Sequence, residues 1–469
     1  MNEAVNQAVA DIAARVRAAG GRAWKVGGCV RDAVLGLGEV TDIDLEVFGL
    51  LPDQLEALLA EKYRFDPCGI SFGILKLQHL DIDVAIPRRE SKRGEGHRGF
   101  SVSSDPFLSV REAASRRDFT INAIYEDPLT GEREDPFGGI PDLKGRVLRH
   151  VSEKFGEDPL RVLRGMQFVA RFNLTPAPET IAVCRQMTME GLARERLFEE
   201  WAKMLEKGVA MSAALDFLRA TGWLSYFPEL GRLVGCPQDP KWHPEGDVWE
   251  HTKRCLDAFA RHRIGDKFED VLVGFAVVCH DFGKPDTTYK DRVTGRWRSP
   301  GHDEAGATPT RQFLERLTNE ERLLKEIPPL VACHMAPFSL WRGHAGDAAV
   351  RRLANRVGRI DRLVRVSEAD DEGRILLSED PNRGLERKWL LEMAERLQLA
   401  SSRPQPIFLG RHLMALGYRP SPQFKKWLDA VFEAQLDGRF TNLAGAEEYF
   451  KTTLAPKNCE NAADENGTR

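Results

Sequence analysis

The N-terminal part of the chain contains the stretch WKVGGCVRDAVLG at residues 24–36, in which an apolar strand leads into a pair of glycines. A segment with helical periodicity follows, and Arg31 falls in its first turn. Gly27 and Gly28 let the backbone approach a phosphate closely, while helix N-terminal amides and the Arg31 guanidinium supply hydrogen-bond donors. The stretch predicts a strand, a phosphate-binding turn and a helix; an ordinary glycine turn is the alternative.

A second strand pattern, TDIDLEVF, follows at residues 41–48. Asp42 and Asp44 alternate there with apolar residues, so on a strand both carboxylates leave the same face. Paired carboxylate oxygens at this spacing can bind Mg²⁺, which can hold a triphosphate and activate an attacking hydroxyl. A single Asp-x-Asp is common on solvated strands, but its position shortly after the glycine pair favours a metal site.

Three further segments continue the pattern of strands and charged turns. LDIDVAIP at residues 80–87 offers Asp83, in preference to Asp81, as a third carboxylate, or else forms an exposed edge strand. Residues 87–100 are basic, glycine-rich and without periodicity, which predicts a flexible loop that closes over a nucleotide, contacts an RNA backbone or is merely solvated. SRRDFTINAIY at residues 115–125 places two arginines before an apolar run, and these can neutralise a triphosphate.

EDPLRVLRGMQF at residues 157–168 predicts a helix that begins at its proline, with Asp158, Arg161 and Arg164 on one face. A carboxylate accepts hydrogen bonds and a guanidinium only donates them. The Asp158/Arg161 pair therefore matches the amino donor and ring-nitrogen acceptor of cytosine and adenine, and mismatches uracil and guanine. Such contacts are worth ~1–3 kcal/mol each, by analogy with groove recognition. The alternative is a surface ion pair worth about 0.2–0.5 kcal/mol.

The motifs GGCVRD, TDID, RRDFTINA and EDPLRVLR, in this order and at these distances, resemble those of the bacterial class II tRNA nucleotidyltransferases. These CCA-adding enzymes share their head with bacterial poly(A) polymerases. The resemblance covers residues 22–235, and the combination of four motifs is specific. It implies an α+β fold class, with a polymerase-β-like nucleotidyltransferase head of mixed sheet and helices. An all-α neck and body that bind tRNA would follow the head.

The resemblance also implies roles for individual residues. The matching positions are Gly28 and Arg31 for nucleotide contact, Asp42 and Asp44 for Mg²⁺, Arg117 for the triphosphate, Asp158 and Arg161 for the incoming base, and Arg164 for support of the nucleotide. Family members commonly carry another arginine three residues after Arg164, where this chain has Gln167. This departure weakens a phosphate or base contact and leaves the subtype of nucleotide specificity open.

Histidines recur at spaced positions in the C-terminal half, in VWEHT, VVCHDFGK, SPGHDEAGA and VACHMAP, and an acidic pair follows in SEADDEGR. Imidazoles with carboxylates can bind a divalent ion and polarise a phosphate ester. The pattern resembles the HD phosphohydrolase superfamily, which implies the metal ligands His251, His280, Asp281 and Asp370. Asp370 fits the pattern better than Asp371, and His302 and His334 can complete a wider site. Lys284 either binds phosphate or caps a helix end.

Composition divides the chain into five segments. Short strands dominate the beginning, helical patterns follow, and the stretch at residues 234–247 is dense in Pro, Gly and Asp, which marks a boundary. The last fourteen residues are polar, which predicts disorder. The predicted segments are a nucleotidyltransferase head at 1–150, a helical neck and body at 151–235, an all-α HD domain at 236–400, a helical segment at 401–455 and a disordered tail at 456–469.

Charge and composition exclude several classes of protein. The 469 residues include 67 Lys and Arg against 71 Asp and Glu, a net charge of −4, so a uniformly basic coat is excluded while a local basic groove is not. No apolar run approaches the ~18–20 residues of a membrane span, and the N-terminus lacks the apolar core of a secretory signal. The eight cysteines form no C-x-x-C pair, which disfavours a disulfide scaffold and predicts a cytoplasmic protein.

With the family resemblance, these patterns predict an enzyme that adds CCA to tRNA 3′ ends from CTP and ATP without a nucleic-acid template. The expected cofactors are Mg²⁺ at the transferase site and a divalent metal of unspecified identity at the HD site. The expected partners are tRNA, ATP and CTP, with no membrane and no protein partner indicated. The alternatives are a poly(A) polymerase, an enzyme of the same family that adds only CC or only A, and an HD metal phosphohydrolase with an inactive RNA-binding head.

Overall fold

The computed structural model describes residues 3–38, 42–66, 74–92, 100–377 and 380–455. The chain divides into two compact units, Met1–Gly231 and Arg232–Arg469. The division lies just before the stretch at 234–247 that is rich in Pro, Gly and Asp.

A mixed sheet forms the head of the first unit, and its strands include those predicted in WKVGG, TDIDLEVF and LDIDVAIP. In chain order the strands of the head are β1 (Arg22–Val26), β2 (Ile43–Phe48), β3 (Ile74–Lys76), β4 (Ile82–Ala85), β5 (Arg88–Lys92), β6 (Phe100–Ser104), β7 (Tyr125–Glu126) and β8 (Arg133–Glu134). Within the described residues the sheet order is β3-β4-β2-β1-β7-β8, and β5 and β6 pair with each other. Strand β2 is parallel to β4, and the other neighbours are antiparallel.

Strand β2 shows how alternation places a carboxylate. Ile43, Leu45 and Val47 are buried on one face of the strand, so Asp44 leaves the opposite face. The register pairs Asp44 with the last residue of β1 on one side and with Asp83 of β4 on the other. The carboxylate of Asp44 therefore lies where the glycine turn after β1 begins.

Helices and short turns complete the first unit. The helices are α1 (Glu3–Ala18), α2 (Gly28–Leu35), α3 (Pro52–Ala60), α4 (Val110–Ala114), α5 (Gly139–Lys144), α6 (Leu160–Phe172), α7 (Pro178–Cys184), α8 (Arg194–Lys207), α9 (Met211–Ala220) and α10 (Pro228–Gly231). The 3₁₀ turns are Thr120–Asn122, Glu153–Glu157 and Trp223–Tyr226, and β9 (Val147–Leu148) pairs with β10 (Thr175–Pro176).

Helix α6 is strongly amphipathic, because apolar residues at three- and four-residue spacing bury one side of it. It packs against α8 and α9. A Cβ added to Gly165 would lie 3.1 Å from the rings of both Phe119 and Phe217, so the helix approaches these aromatics as closely as glycine allows. Burial of this side leaves Arg161 and Arg164 on the polar side of α6.

The second unit consists mainly of helices. They are α11 (Val248–Arg261), α12 (Lys267–Cys279), α13 (Lys284–Thr287), α14 (His302–Ala305), α15 (Ala307–Leu317), α16 (Glu321–Ala332), α17 (Ala336–Arg342), α18 (Asp347–Val357), α19 (Ile360–Gly373), α20 (Leu385–Arg396), α21 (Gly410–Ala415), α22 (Pro422–Leu436) and α23 (Leu443–Tyr449). A two-stranded ribbon joins β11 (Tyr289–Lys290) to β12 (Trp297–Arg298), and a π turn covers Phe450–Leu454. Helix α12, apolar almost throughout, packs against α11, α16 and α19.

The predicted α+β fold class is confirmed: a head that contains the sheet is followed by a largely helical remainder. The prediction of an irregular loop at 87–100 was wrong at its ends. There β5 and β6 form an antiparallel pair, with a register that runs from Arg88 opposite Ser104 to Lys92 opposite Phe100. Antiparallel pairing needs only backbone hydrogen bonds, so β5 forms although its sequence RRESK has no apolar alternation. Residues 93–99 and the predicted tail at 456–469 lie outside the described residues. Within the described ranges, no helix combines the length and apolar character of a bilayer crossing.

Candidate functional site

A cleft of about 480 Å³ opens in the first unit where the glycine turn, β2 and α6 meet. Its lining has eight basic and three acidic side chains, although the chain as a whole has a net charge of −4. The charged lining residues are Arg31, Arg116, Arg117, Arg161, Arg164, Arg171, Arg196, Lys203, Asp44, Asp118 and Asp158. Such a cationic concavity favours a polyanion. The structure brings all six predicted nucleotide-binding residues to this cleft: Gly28, Arg31, Arg117, Asp158, Arg161 and Arg164.

The glycine turn approaches the carboxylate face directly. Gly27 has a positive φ of 76°, and a Cβ added there would lie 3.3 Å from Arg117 Nη1 and 3.5 Å from Asp44 Oδ2. A larger residue would therefore strain the backbone and crowd both charged groups. Gly28 follows as the first residue of α2, so the amides at that helix N-terminus open toward the cleft.

Carboxylates gather on the exposed face of β2 and β4. Partial desolvation in the cleft, and then the charge of Asp42, raise the pKa of Asp44. Desolvation also raises the pKa of Asp83, which faces Asp44 in register and interacts electrostatically with Asp42. Asp81 lies just before β4 and is exposed. The preference for Asp83 over Asp81 agrees with this register. Neighbouring carboxylates repel each other when they are ionised, and a bound divalent cation removes this repulsion. Their oxygen atoms are ligands that suit Mg²⁺.

A chain of hydrogen bonds crosses the cleft from α2 to α6. Arg31 Nη1 donates to Asn122 Oδ1 at 2.7 Å, and Asn122 Nδ2 donates to Asp118 Oδ1 at 3.0 Å. Arg164 Nε donates to Asp118 Oδ2 at 2.7 Å. Burial opposes ionisation of Asp118, but Arg164 and the hydrogen bonds outweigh it and hold its pKa below the ordinary value. Asp118 therefore orients Arg164 of α6 and not Arg116 or Arg117, which precede Asp118 in the sequence.

The predicted base-recognition pair is held in a fixed orientation. Asp158 Oδ2 accepts from Arg196 Nη2 at 2.8 Å, and its Oδ1 accepts from a backbone amide two residues further on. Arg161 donates to the carbonyls of Lys154 at 2.8 Å and Arg116 at 2.6 Å. These bonds fix the direction of each group. They use only part of its hydrogen-bonding capacity, because a carboxylate has about four lone-pair sites and a guanidinium has five N–H donors. Each group can therefore still bond to a base.

Sequence reasoning missed Arg196. It lies in α8, in the segment RERLFEE, where helical periodicity identifies the apolar face but not which arginine reaches the cleft.

The structure also shows the surroundings of Gln167, where family members commonly carry an arginine. Gln167 is buried, and its Oε1 accepts from Arg171 Nη1 at 3.3 Å, which brings a guanidinium to the cleft one helical turn later.

In the second unit, four histidine rings are fixed through their Nδ1 atoms. His280, His302 and His334 each donate from Nδ1 to the carbonyl three residues earlier, at 2.7–2.8 Å. His251 Nδ1 donates to the carboxylate of Glu245 at 2.9 Å. With the proton on Nδ1, each neutral ring keeps a lone pair on Nε2, which is the form that binds metals. Sequence reasoning missed Glu245, because it lies in the stretch interpreted as a domain boundary.

The Nε2 atoms face carboxylates. His251 Nε2 lies 2.9 Å from Asp370 Oδ1, and His280 Nε2 lies 3.2 Å from Asp281 Oδ2. Both carboxylates have pKa values well below the ordinary value, because the neighbouring histidine charges and hydrogen bonds outweigh burial. A contact at this distance requires a positive charge between the nitrogen and the carboxylate, which either a proton on Nε2 or a bound metal ion supplies. Nitrogen and oxygen donors arranged in this way fit a divalent transition metal.

The two further histidines lie next to this group. His302 Nε2 is 3.3 Å from His334 Nε2 and 3.5 Å from Asp281 Oδ1. Gly283 makes the approach of α14 possible, because a Cβ there would overlap with the His302 carbonyl oxygen. Asp281 therefore lies between two pairs of histidines, and the whole group offers ligands on both sides of one carboxylate.

Two neighbouring charges have other partners. Asp371 accepts from Arg383 at 2.8 Å, which directs it away from the histidines, whereas Asp370 faces them. Lys284 Nζ lies 2.8 Å from Asp281 Oδ2, so this ammonium neutralises a candidate ligand instead of capping a helix.

Comparison with known proteins first defines the class. Residues 23–149 match the family model described as the poly A polymerase head domain. Together with the carboxylates on adjacent strands and the cationic cleft, the match defines residues 23–149 of the first unit as a nucleotidyltransferase head.

Curated relatives then define the family. The chain is 39% identical over 373 residues to the multifunctional CCA protein of Xylella fastidiosa, which covers 75% of this chain and 84% of that protein. It is 36% identical over 381 residues to the multifunctional CCA protein of Paracidovorax citrulli, with coverage of 76% and 85%. The chain therefore belongs to the family of multifunctional CCA proteins, and the prediction of a CCA tRNA nucleotidyltransferase is confirmed.

Solved structures share the fold. The CCA-adding enzyme of Bacillus stearothermophilus in complex with CTP has a TM-score of 0.65 at 22% identity, covering 96% of this chain and 99% of that one. The Thermotoga maritima CCA-adding enzyme complexed with tRNA has a TM-score of 0.56 at 18% identity, covering 96% of both chains.

Proposed function

We propose that the cleft of the first unit binds CTP or ATP together with a tRNA 3′ end. The terminal hydroxyl attacks the α-phosphate in line, an O–P bond forms, and the bond to the departing pyrophosphate breaks. The observation that carries the proposal is that the glycine turn, the Asp44 carboxylate and the base-recognition pair lie in one cleft, because each is needed by a different part of the nucleotide. These substrates place the enzyme in the cytoplasm.

The metal site proposed for this reaction consists of Asp42 and Asp44, with Asp83 as the third carboxylate. Desolvation and the negative charge of Asp42 raise the pKa values of Asp44 and Asp83, and a bound cation would relieve both effects. An all-oxygen donor set suits Mg²⁺. When bound, Mg²⁺ lowers the pKa of a coordinated hydroxyl and offsets charge on the phosphates.

Arginines around the glycine turn are proposed to hold the triphosphate. The amides at Gly28, the guanidinium of Arg31 and that of Arg117 converge on the side of the cleft next to Asp44. Arg164, fixed by Asp118, supports the nucleotide from α6. We propose that Gln167 is tolerated because Arg171 supplies a positive charge to the same region.

Base choice is assigned to Asp158 and Arg161. A fixed carboxylate accepts from the exocyclic amino group of cytosine or adenine, and a fixed guanidinium donates to the adjacent ring nitrogen. Uracil and guanine present a carbonyl and an N–H at these positions, which mismatches both contacts. The protein thus acts as the template.

The test is 3′-end sequencing of a tRNA transcript that ends at the discriminator base, incubated with the full chain, Mg²⁺ and all four nucleoside triphosphates. We expect CCA and then arrest. A long A tail, or addition of CC or A alone, would assign the chain to one of the related activities. No extension, with Asp42→Ala indistinguishable from the parent, would show that the head is inactive.

We propose a second activity for the second unit, a metal-dependent phosphohydrolase at His251, His280, Asp281 and Asp370, with His302 and His334 completing the site. The observation that favours it is that four rings donate from Nδ1 to fixed oxygens, while their Nε2 atoms face the carboxylates and one another. When bound, a divalent ion polarises a phosphate ester.

This second activity is tested by equilibrium dialysis with Mn²⁺ or Zn²⁺ and by hydrolysis of a nitrophenyl phosphoester. His280→Ala should lose both metal and hydrolysis. His344→Asn is the control, because His344 is an exposed histidine of the same unit outside the candidate metal groups of the described residues, and Asn tolerates its positive φ. Equal retention of metal in both variants would contradict the proposal.

A further inference from the structure

Cys255 lies beside the candidate metal ligands of the second unit. It follows His251 by one turn of α11 and is fully buried. Its Sγ is 3.4 Å from His251 Nε2 and 3.8 Å from the Asp370 carbonyl oxygen. The ligand atoms of Cys255, His251, His280 and Asp370 all lie within 4.8 Å of one another.

Local structure positions this thiol. Residues four apart on a helix share a face, so Cys255 and His251 project together. Gly373, near the end of α19, leaves space for the sulfur, because a Cβ there would overlap with Cys255 Sγ. Any other residue at position 373 would displace the thiol from the group. Two elements thus combine to place Sγ next to the imidazole.

The distance between Cys255 Sγ and His251 Nε2 suits two ligands of one metal ion. A tetrahedral ion with metal–sulfur and metal–nitrogen bonds of about 2.3 and 2.0–2.1 Å separates the two ligand atoms by about 3.5 Å. Sγ lies 3.4 Å from His251 Nε2, close to this value, and 3.8 Å from Nδ1, so it rests beside the ring and a rotation of the Cys255 side chain brings it to the Nε2 side. An independent observation points to the same place: His280 Nε2 is buried and makes no hydrogen bond within the described residues.

We propose that Cys255 is a ligand of the metal in the second unit, through its thiolate, together with His251, His280 and Asp370. This inference rests on the proposed metal site and deepens it, because it groups Asp281 with His302 and His334 on the neighbouring side of the site. The thiol loses its proton to the buffer as the metal–sulfur bond forms. Because thiolate is a soft donor, the site selects a borderline transition ion such as Zn²⁺, Co²⁺ or Ni²⁺ over Mg²⁺ or Ca²⁺.

The test uses Co²⁺ as the probe, added without reducing thiols to the full chain after metal removal by a chelator. We expect one intense near-ultraviolet charge-transfer band from thiolate to Co²⁺, besides the visible d–d bands of the bound ion. Cys255→Ser should lose the near-ultraviolet band and bind Co²⁺ more than about tenfold more weakly, since even loss of an outer-shell partner costs 10–100-fold. Cys236→Ser is the control and should keep the band, because Cys236 contacts Thr288 outside the group.

The outcomes separate this inference from the proposed site. Bound Co²⁺ with no charge-transfer band would leave the metal centre standing and overturn the role of Cys255, which would then be a small buried apolar group. A band that persists in Cys255→Ser would overturn it as well. Absence of Co²⁺ binding by the parent would overturn both, while CCA addition in Mg²⁺ reports on the first unit separately. If Cys255→Ser does not fold, X-ray absorption of the Zn²⁺-loaded parent decides, through a sulfur neighbour at about 2.3 Å or its absence.

Discussion

Asp118 is the residue on which the orientation of Arg164 depends, since its two oxygens accept from Asn122 and Arg164. For Asp118→Asn we expect the free energy of unfolding at neutral pH to fall by about 1.5–3 kcal/mol, the range for hydrogen bonds to charged groups. Because the folded pKa is depressed, this stabilisation is present above the unfolded pKa of about 3.9 and is lost as the pH falls through the folded pKa. Urea unfolding at several pH values checks this: a difference between parent and variant that does not shrink in acid would contradict it.

Asp83 is predicted to matter more than its neighbour Asp81. Asp83→Asn should lower kcat of nucleotide addition by about a hundredfold or more, because a metal contact in such a reaction is worth several kcal/mol. Asp81→Asn is the matched control, an exposed acid two residues earlier, and should change kcat by less than about threefold, in line with a surface charge. Single-turnover rates with CTP provide the measurement. Equal losses in the two variants would remove Asp83 from the site.

Arg196 is expected to act on base choice through Asp158. Arg196→Ala removes a charged hydrogen bond that fixes the carboxylate, so the ratio of kcat/KM for CTP over UTP should fall about tenfold, equivalent to about 1.4 kcal/mol. Arg194→Ala, an exposed arginine two residues earlier on the same helix, should leave the ratio unchanged. A lower kcat/KM with an unaltered ratio would show that Arg196 supports the fold and not selection.

Helix α6 carries the base-recognition and nucleotide-support residues, and its position depends on close aromatic packing. Gly165→Val should destabilise the first unit by about 1–3 kcal/mol, the usual cost of overpacking, because the added side chain meets Phe119 and Phe217. Gly156→Val is the control, since nothing lies within 4 Å of a Cβ at that glycine. Urea midpoints of the two variants provide the comparison, and equal midpoints would refute the packing argument.

Elements were predictable from the sequence where a period identifies a buried face. Alternation in IDLEVF predicted β2 and the side from which Asp44 leaves, and the spacing in LRVLRGMQF predicted α6. Contacts between elements were not predictable. A helical period does not show that Arg196 of α8 reaches Asp158, and Glu245 lies in an irregular stretch with no period at all. The spacing within α11 places the Cys255 sulfur beside His251, but only the packing of α11 against α12 and α19 brings it to His280 and Asp370.

The whole molecule has its two candidate sites in different units of the chain. Asp44→Ala in the full chain should abolish CCA addition and leave metal binding by the second unit unchanged. His280→Ala should do the converse. Nucleotide addition, measured by 3′-end sequencing, and bound metal, measured by dialysis, separate the two effects. Loss of both properties in a variant that remains folded would show that the sites depend on each other.

The fixed histidine rings of the second unit have a consequence for the amount of intact protein in a cell. Carbonyl oxygens and Glu245 hold the rings in place, so they cannot turn away from one another when the proposed ion is absent. Ion binding would then stabilise the folded unit by about 2.7 kcal/mol at a free concentration one hundred times Kd. Limited proteolysis with and without a chelator measures this directly, and an identical digestion rate would refute it. During metal starvation the unit would open more often to proteases, and the abundance of the chain would follow the supply of a trace element.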